Sequence, residues 1–388
     1  MKDKQFETQA IRAQLERTAY NEHSAPLFLT SSFVFDTAEE MRAAFNEESD
    51  DFIYSRYVNP NTSEFIDKVC LLEGAEAGFA TASGMAAIFI TFMALLGTGD
   101  HVISCSSVFG ATHALFTRYF PKWGITHSYF STREAGEIEK LVKPETKFIY
   151  LETPTNPAIE LIDLEVVAAV AKKHQLLLIV DNCFATPYLQ QPVRFGADLV
   201  IHSATKYMDG QGRVLGGVVV GNRELVNSIY LFGRLTGPSM SPFNAWVLSK
   251  SLETLALRMD RHCDNALYLA QALEGHPKLE AVSYPFLPSH PQYAIAKKQM
   301  KAGGGILTVT VKGGYKGATE FLDRLKLLKI SPNLGDARSI VTHPASSTHC
   351  KLSEEERLKV GILPGLIRIS VGLENKEDLL NDVLQALS

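Results

Sequence analysis

The hydrophobic positions of this chain fall into distinct rhythms. From Gly74 onward, short apolar runs alternate with stretches of helical period, the pattern of a mostly parallel α/β sheet. Strands are expected at 101–105, 125–129, 147–152, 176–181, 198–202 and 215–221, and helices at 84–96, 110–120, 133–142 and 163–174. Upstream of residue 60 the pattern is sparse: a short helical period over Thr8–Arg17, an extended run from Ala25 to Phe33, and an aromatic, basic, turn-forming run from Phe52 to Asn61. Such an arm needs a surface to lie on, which implies an oligomer. Asn61 or Thr62 is the expected cap of a helix running to Leu72. Beyond residue 242 a long helical period spans Asn244–Leu273. It leads to an alternating strand at Gly304–Gly314, a helix at Ala318–Leu328 and a strand at Leu366–Val371, a smaller α+β unit. The expected organisation is an arm over 1–60, a large domain over 61–250 and a small domain over 251–388.

Two of these strands end in reactive groups. The apolar run Leu176–Val180 suits a strand buried on both faces, and Asp181 stands where it would emerge at the carboxyl edge of its sheet. Open α/β sheets bind ligands at that edge. The next strand runs through His202 into Ser203, Thr205 and Lys206. An acid, a lysine and neighbouring hydroxyls at strand ends match pyridoxal phosphate (PLP) chemistry. The lysine forms a Schiff base, the acid holds the pyridinium nitrogen, and the hydroxyls hold the phosphate. Ser203 to Lys206 also fits the S-x-x-K motif of penicillin-binding enzymes, but the chain contains neither the S-D-N nor the K-T-G that must accompany it. Ser83-Gly84-Met85 opens a helix and offers a second phosphate seat, since helix N-termini bind anions. The run Gly210–Gly217 resembles a dinucleotide loop. Its third glycine falls one place late, and an apolar strand follows where a helix is required, which argues against a nicotinamide site. Arg368 interrupts an apolar strand; it stands at an exposed edge or pairs with an anion.

Composition narrows the class. With 388 residues and 46% hydrophobic positions, the chain can bury a large core over two or three domains. A net charge of −5 disfavours nucleic acid or anionic membrane as the main partner. The longest apolar run, Ala86–Leu96, is too short to span a bilayer, and the charged N-terminal stretch has no secretory pattern. Five dispersed cysteines fit reduced cytoplasmic thiols better than a disulfide framework or a metal site.

Together these motifs resemble the PLP-dependent enzymes of cysteine and methionine metabolism, on the aspartate-aminotransferase-like (type I) fold, over nearly the whole chain. The resemblance implies that Tyr54 and Arg56 reach into a neighbouring subunit to hold the cofactor phosphate, alongside Ser83, Gly84, Met85, Ser203 and Thr205. It gives Asn156 to the cofactor's ring oxygen, Asp181 to its ring nitrogen, Lys206 to the Schiff base, and Arg368, with Asn333 nearby, to the substrate carboxylate. Phe109 stands where many members stack a tyrosine, so the phenol is lost and Tyr54 gains weight as a proton donor. Asn333 stands where γ-synthases and lyases often carry serine. The run Asp209-Gly-Gln-Gly-Arg213 looks most like the O-succinylhomoserine sulfhydrylase branch, with Arg213 a candidate for the succinyl carboxylate.

The implied activity is γ-replacement on an O-acylhomoserine by sulfide, giving homocysteine in methionine biosynthesis. A cytoplasmic homotetramer built as a dimer of dimers goes with it. The alternatives are a cystathionine γ-synthase, a methionine or cystathionine γ-lyase and, in another class, a non-catalytic PLP-fold binding protein.

Overall fold

The computed structural model describes residues 1–132 and 135–388. The larger sheet has seven strands: β1 (Ala77–Thr81), β2 (His101–Cys105), β3 (Thr126–Phe130), β4 (Thr146–Glu152), β5 (Leu177–Asp181), β6 (Leu199–Ser203) and β7 (Gly217–Gly221). Their order is β1-β7-β6-β5-β4-β2-β3, with β7 antiparallel to both of its neighbours and the pairs from β6 through β3 parallel. The central strands are fully buried runs of Val, Ile and Leu, because helices cover both faces. β1 was not among the expected strands: Ala77-Gly-Phe-Ala-Thr81 is poor in the β-branched residues that announce one.

The smaller sheet contains β8 (Leu279–Ser283), β9 (Ile306–Val311), β10 (Lys329–Ile330), β11 (Ile340–Thr342) and β12 (Leu366–Ser370) in the order β10-β11-β12-β9-β8. Its core joins Leu307, Val309, Ile367 and Ile369 to Phe321 and to Leu379 and Val383 of the last helix. The strand faces that carry Leu307 and Ile367 therefore point to the helices. The opposite face, with Thr308, Thr310 and Arg368, turns away from that core.

Several expected elements take a different form. The helix expected at 110–120 is α-helical over Gly110–Ala114, widens to a π turn over Leu115–Tyr119, and tightens to 3-10 at Phe120–Trp123, where Pro121 cannot donate to an α ladder. The start of the helix expected at 133–142 lies outside the described residues, and Ala135–Leu141 is 3-10. The long helix expected over Asn244–Leu273 is two, Pro242–Leu252 and Leu255–Leu273; buried Arg258 donates to the Ser251 carbonyl at the break. A helix over Arg223–Thr236, not expected, packs its buried Val226, Ile229 and Gly233 toward β1 and the helix from Gly84.

The arm is tied down by asparagines. Asn59, not Asn61 or Thr62, caps the helix Pro60–Glu73, because Pro60 takes the first helical position and places the cap before it. Asn61 instead accepts from the Phe28 amide and donates to the Pro26 carbonyl, pinning the extended run. Among the described residues no helix is long and apolar enough to cross a membrane.

Candidate active site

The carboxyl edge of the large sheet gathers the acid, the hydroxyls and the lysine. The helix Gly84–Leu95 starts there, with the Ser83 hydroxyl accepting from Ala86 N at 3.2 Å. Its remaining first-turn N–H groups are donors without helical partners, the usual anion seat. Gly84 is required by contact: a Cβ on it would lie 2.6 Å from Ser203 Cβ and 2.9 Å from Ser203 Oγ. Likewise a Cβ on Gly217 would lie 2.2 Å from the Ser83 carbonyl oxygen. These glycines bring the helix start, Ser203 and the head of β7 into one notch, of the size and donor chemistry that the phosphate of PLP needs. Thr205 borders it, its hydroxyl exchanging hydrogen bonds with the main chain of Gly216. Met85 touches Thr112 through its sulfur at 3.9 Å.

Asp181 ends β5, paired in register with Glu152 of β4 and Ile201 of β6. Its Oδ1 accepts from Cys183 N at 2.9 Å. Burial pushes its carboxyl up to about 6, against the Cys183 N–H and the more distant His202, and no cation forms an ion pair with it among the described residues. A protonated pyridine nitrogen would supply one. Phe109 caps the short helix after β2, and the residue is 39% exposed, open to a flat group.

Lys206 lies just past β6. Its Nζ donates to Asn333 Oδ1 at 2.6 Å. Burial, with the Arg368 charge adding to it against Cys183, holds this amine below the usual lysine range. An amine that gives up its proton easily can condense with an aldehyde and later act as a base. The Asn333 loop is seated directly on the lysine: a Cβ on Gly335, whose φ is +75°, would lie 2.7 Å from Tyr207 N and 2.9 Å from Lys206 C.

Arg368 is not at an exposed edge. It sits in the middle of the small sheet, 2% exposed. Its Nη1 donates to Asn156 Oδ1 at 2.9 Å, and Nη2 to the carbonyls of Pro332 and Asn333 at 3.1 and 3.0 Å. Nε is buried with no acceptor, and no acid forms an ion pair with this guanidinium among the described residues. Burial alone pulls it down to about 10. A buried cation with a donor to spare is a carboxylate site. The bond to Arg368 uses the oxygen of Asn156 and leaves its NH₂ to donate elsewhere.

The remaining expected residues are placed differently. Within one chain, Arg56 ties the arm to the helix Arg223–Thr236: it donates to the Arg234 carbonyl, and its guanidinium lies 4.9 Å from the Tyr57 ring and 5.5 Å from that of Tyr54. No contact joins them to the Lys206 group among the described residues. Arg213 carries the contacts of a loop cap. Its main-chain N and Nε donate to buried Asp209 at 2.7 and 3.0 Å, and Nη2 donates to Ser251. The same loop meets the small domain, where Ala337 N donates to the Gly210 carbonyl at 2.8 Å and Arg338 Nη2 to that of Gln211 at 3.1 Å. Glu152, without a role among the sequence expectations, is a strand-end acid one strand from Asp181, the same signal that picks out Asp181.

The chain is 46% identical to an O-succinylhomoserine sulfhydrylase of Pseudomonas aeruginosa over 99% of its length and 95% of that protein's. It is also 41% identical to an L-methionine gamma-lyase of Porphyromonas gingivalis, over 98% and 96%. The crystal structure of a putative O-acetylhomoserine (thiol)-lyase from Campylobacter jejuni, which carries a pyridoxyl-lysine monophosphate, superposes with a TM-score of 0.95 at 33% identity over 98% of this chain and 99% of that one. The family model for Cys/Met metabolism PLP-dependent enzymes matches residues 7–388, and the chain belongs to that family.

Proposed function

We propose that this enzyme catalyses γ-replacement on an O-acylhomoserine, with O-succinylhomoserine as the acyl donor and sulfide as the nucleophile. The observation that carries amino-acid chemistry is the join between base and anchor. Asn333 touches the Lys206 amine with its side chain and Arg368 with its main chain, at 2.6 and 3.0 Å. A substrate whose α-carboxylate meets Arg368 therefore has its Cα within reach of Lys206.

PLP, when bound, supplies the electron sink that makes protons on Cα and then Cβ acidic enough to remove. Asp181 holds the ring nitrogen in its protonated form; at an effective dielectric near 20, a charge pair about 4 Å apart gains about 4 kcal/mol. Ser83, Gly84, Met85, Ser203 and Thr205 would seat the cofactor's phosphate, the NH₂ of Asn156 would donate to its ring oxygen, and Phe109 would stack against its ring. Lys206 removes the Cα proton and relays protons as the acyloxy group leaves Cγ and hydrosulfide adds there. Arg56 completes the phosphate seat, and Tyr54 handles leaving-group protons, both from the arm of a second copy. A cytoplasmic homo-oligomer goes with that sharing.

The choice of ester and donor leans on the sulfhydrylase relatives. Arg213 is paired with Asp209, which favours a loop-capping role over one at the succinyl carboxylate. The second reading is γ-elimination, favoured by the likeness to methionine gamma-lyases. Product analysis separates them: O-succinyl- and O-acetylhomoserine are each offered sulfide or cysteine, and methionine is offered alone. Homocysteine from the succinyl ester and sulfide is the expected main product. Cystathionine would make the chain a γ-synthase, and methanethiol from methionine at comparable rates would make it a lyase.

A further inference from the structure

Two acids, not one, stand under the ring site. Glu152 and Asp181 are the last residues of adjacent parallel strands and are paired in register, so their side chains leave the sheet on the same face. Glu152 is 6% exposed. Its Oε1 accepts from Phe109 N at 2.8 Å and from the Tyr150 hydroxyl at 3.4 Å. The titratable groups facing it are Asp181, Tyr150 and the buried Cys105 and Cys183 thiols; no cation forms an ion pair with it among the described residues. His202, the nearest histidine to Asp181 along the sheet, is 3.3 Å from Glu73 and acts on Asp181 only from a distance. Two anions side by side without a cation are unfavourable, and one bound pyridinium can neutralise only one of them.

We propose that Glu152 is a positioning residue that works as a neutral carboxylic acid. It fixes the Phe109 main chain so that the ring lies over the cofactor, and it leaves Asp181 as the single anion facing the ring nitrogen. Burial, reinforced by the Asp181 charge, pushes the Glu152 carboxyl well above the usual range, which agrees with the geometry. The proposal rests on the roles given above to Phe109 and Asp181 and is independent of which ester is used.

The test compares Glu152→Gln and Glu152→Ala holoenzymes by visible circular dichroism of the lysine-bound cofactor, by the pH midpoint of its absorbance change, and by kcat and KM separately. Glutamine keeps the acceptor for Phe109 N and cannot ionise. It should leave the dichroism and the midpoint in place and kcat within about threefold. Alanine removes the acceptor and should weaken the cofactor dichroism and lower kcat about ten- to a hundredfold, with KM little changed. A midpoint moved to lower pH in Glu152→Gln would mean that a negative charge had been lost, and overturns the neutral-acid role. Unchanged dichroism and kcat in Glu152→Ala overturn the positioning role. If the alanine variant does not fold, the glutamine midpoint and dichroism still decide. The dichroism and the pH midpoint need no substrate, so they stand whatever product analysis finds.

Discussion

Arg368 reaches out of the small sheet and donates through Nη1 to Asn156 Oδ1 at 2.9 Å, joining residues 212 positions apart. The bond ties β12 to the loop that follows β4 and so holds Arg368 and Asn156 together. Nη2 is held by the Pro332 and Asn333 carbonyls. The guanidinium is thus oriented from two sides, and its unpartnered Nε and second Nη1 hydrogen are what remain for a ligand.

An ammonium cannot reproduce that fork. Arg368→Lys should raise KM for the amino-acid substrate, with kcat/KM falling about ten- to a hundredfold, the worth of a charge-assisted hydrogen bond or two. Absorbance of the lysine-bound cofactor should be unaltered, because Arg368 does not touch it in this scheme. Unchanged KM would move the carboxylate elsewhere.

The Asp181 carboxyl, raised to about 6, binds its proton more tightly in the folded chain than in the unfolded one. Stability of the cofactor-free protein should therefore fall as pH rises from about 4 to about 6, and the full penalty, up to about 3 kcal/mol, should persist above that. Asp181→Asn removes the penalty. Its apoprotein should melt higher than wild type near pH 8 and about equally near pH 4. Activity should be lost with the charge. An apoprotein no more stable than wild type at the higher pH would show that the acid is not confined as described.

Arg213 gives the opposite kind of expectation. With its guanidinium held by Asp209 and Ser251, its loss should loosen the loop that meets Ala337 and Arg338, four and five residues from Asn333. Arg213→Ala should lower kcat/KM for O-succinyl- and O-acetylhomoserine by similar factors and lower the melting temperature. A selective loss on the succinyl ester would restore Arg213 to the substrate.

Which parts were legible beforehand follows from the reach of each signal. Asp181 ends a strand after an unbroken apolar run, and Ser203 and Lys206 follow an apolar strand interrupted only by His202, so the edge position follows from that local pattern. β1 did not show because Ala77, Gly78 and Ala80 carry no strand preference; its place comes from pairing with β7, more than a hundred residues on. The seating of Gly335 on Lys206 and Tyr207 is equally invisible in the sequence, since neither segment carries a pattern that points to the other. For Arg368 the sequence left edge and anion site open; only the strand order decides that β12 is central.

The arm gives the last prediction. Tyr54 is 40% exposed, and neither it nor Arg56 touches the Lys206 group of its own chain. The arm and nearby surface also expose Leu29, Val34 and Phe45, at 71%, 97% and 53%, apolar area that water-facing segments seldom leave open unless a partner covers it. If the arm completes the site of a second copy, Arg56→Ala and Lys206→Ala each inactivate an enzyme by damaging different chains' contributions. Mixed under conditions that exchange subunits, they should form heterodimers in which one site combines an intact Lys206 with an intact Arg56. Random pairing makes half of the dimers mixed, each with one working site of two, so about a quarter of wild-type activity should return. The measurement is activity against time after mixing, with exchange verified by mass-tagged subunits. Full exchange with no recovery would mean that Arg56 serves its own chain, and the arm would be a structural strap only.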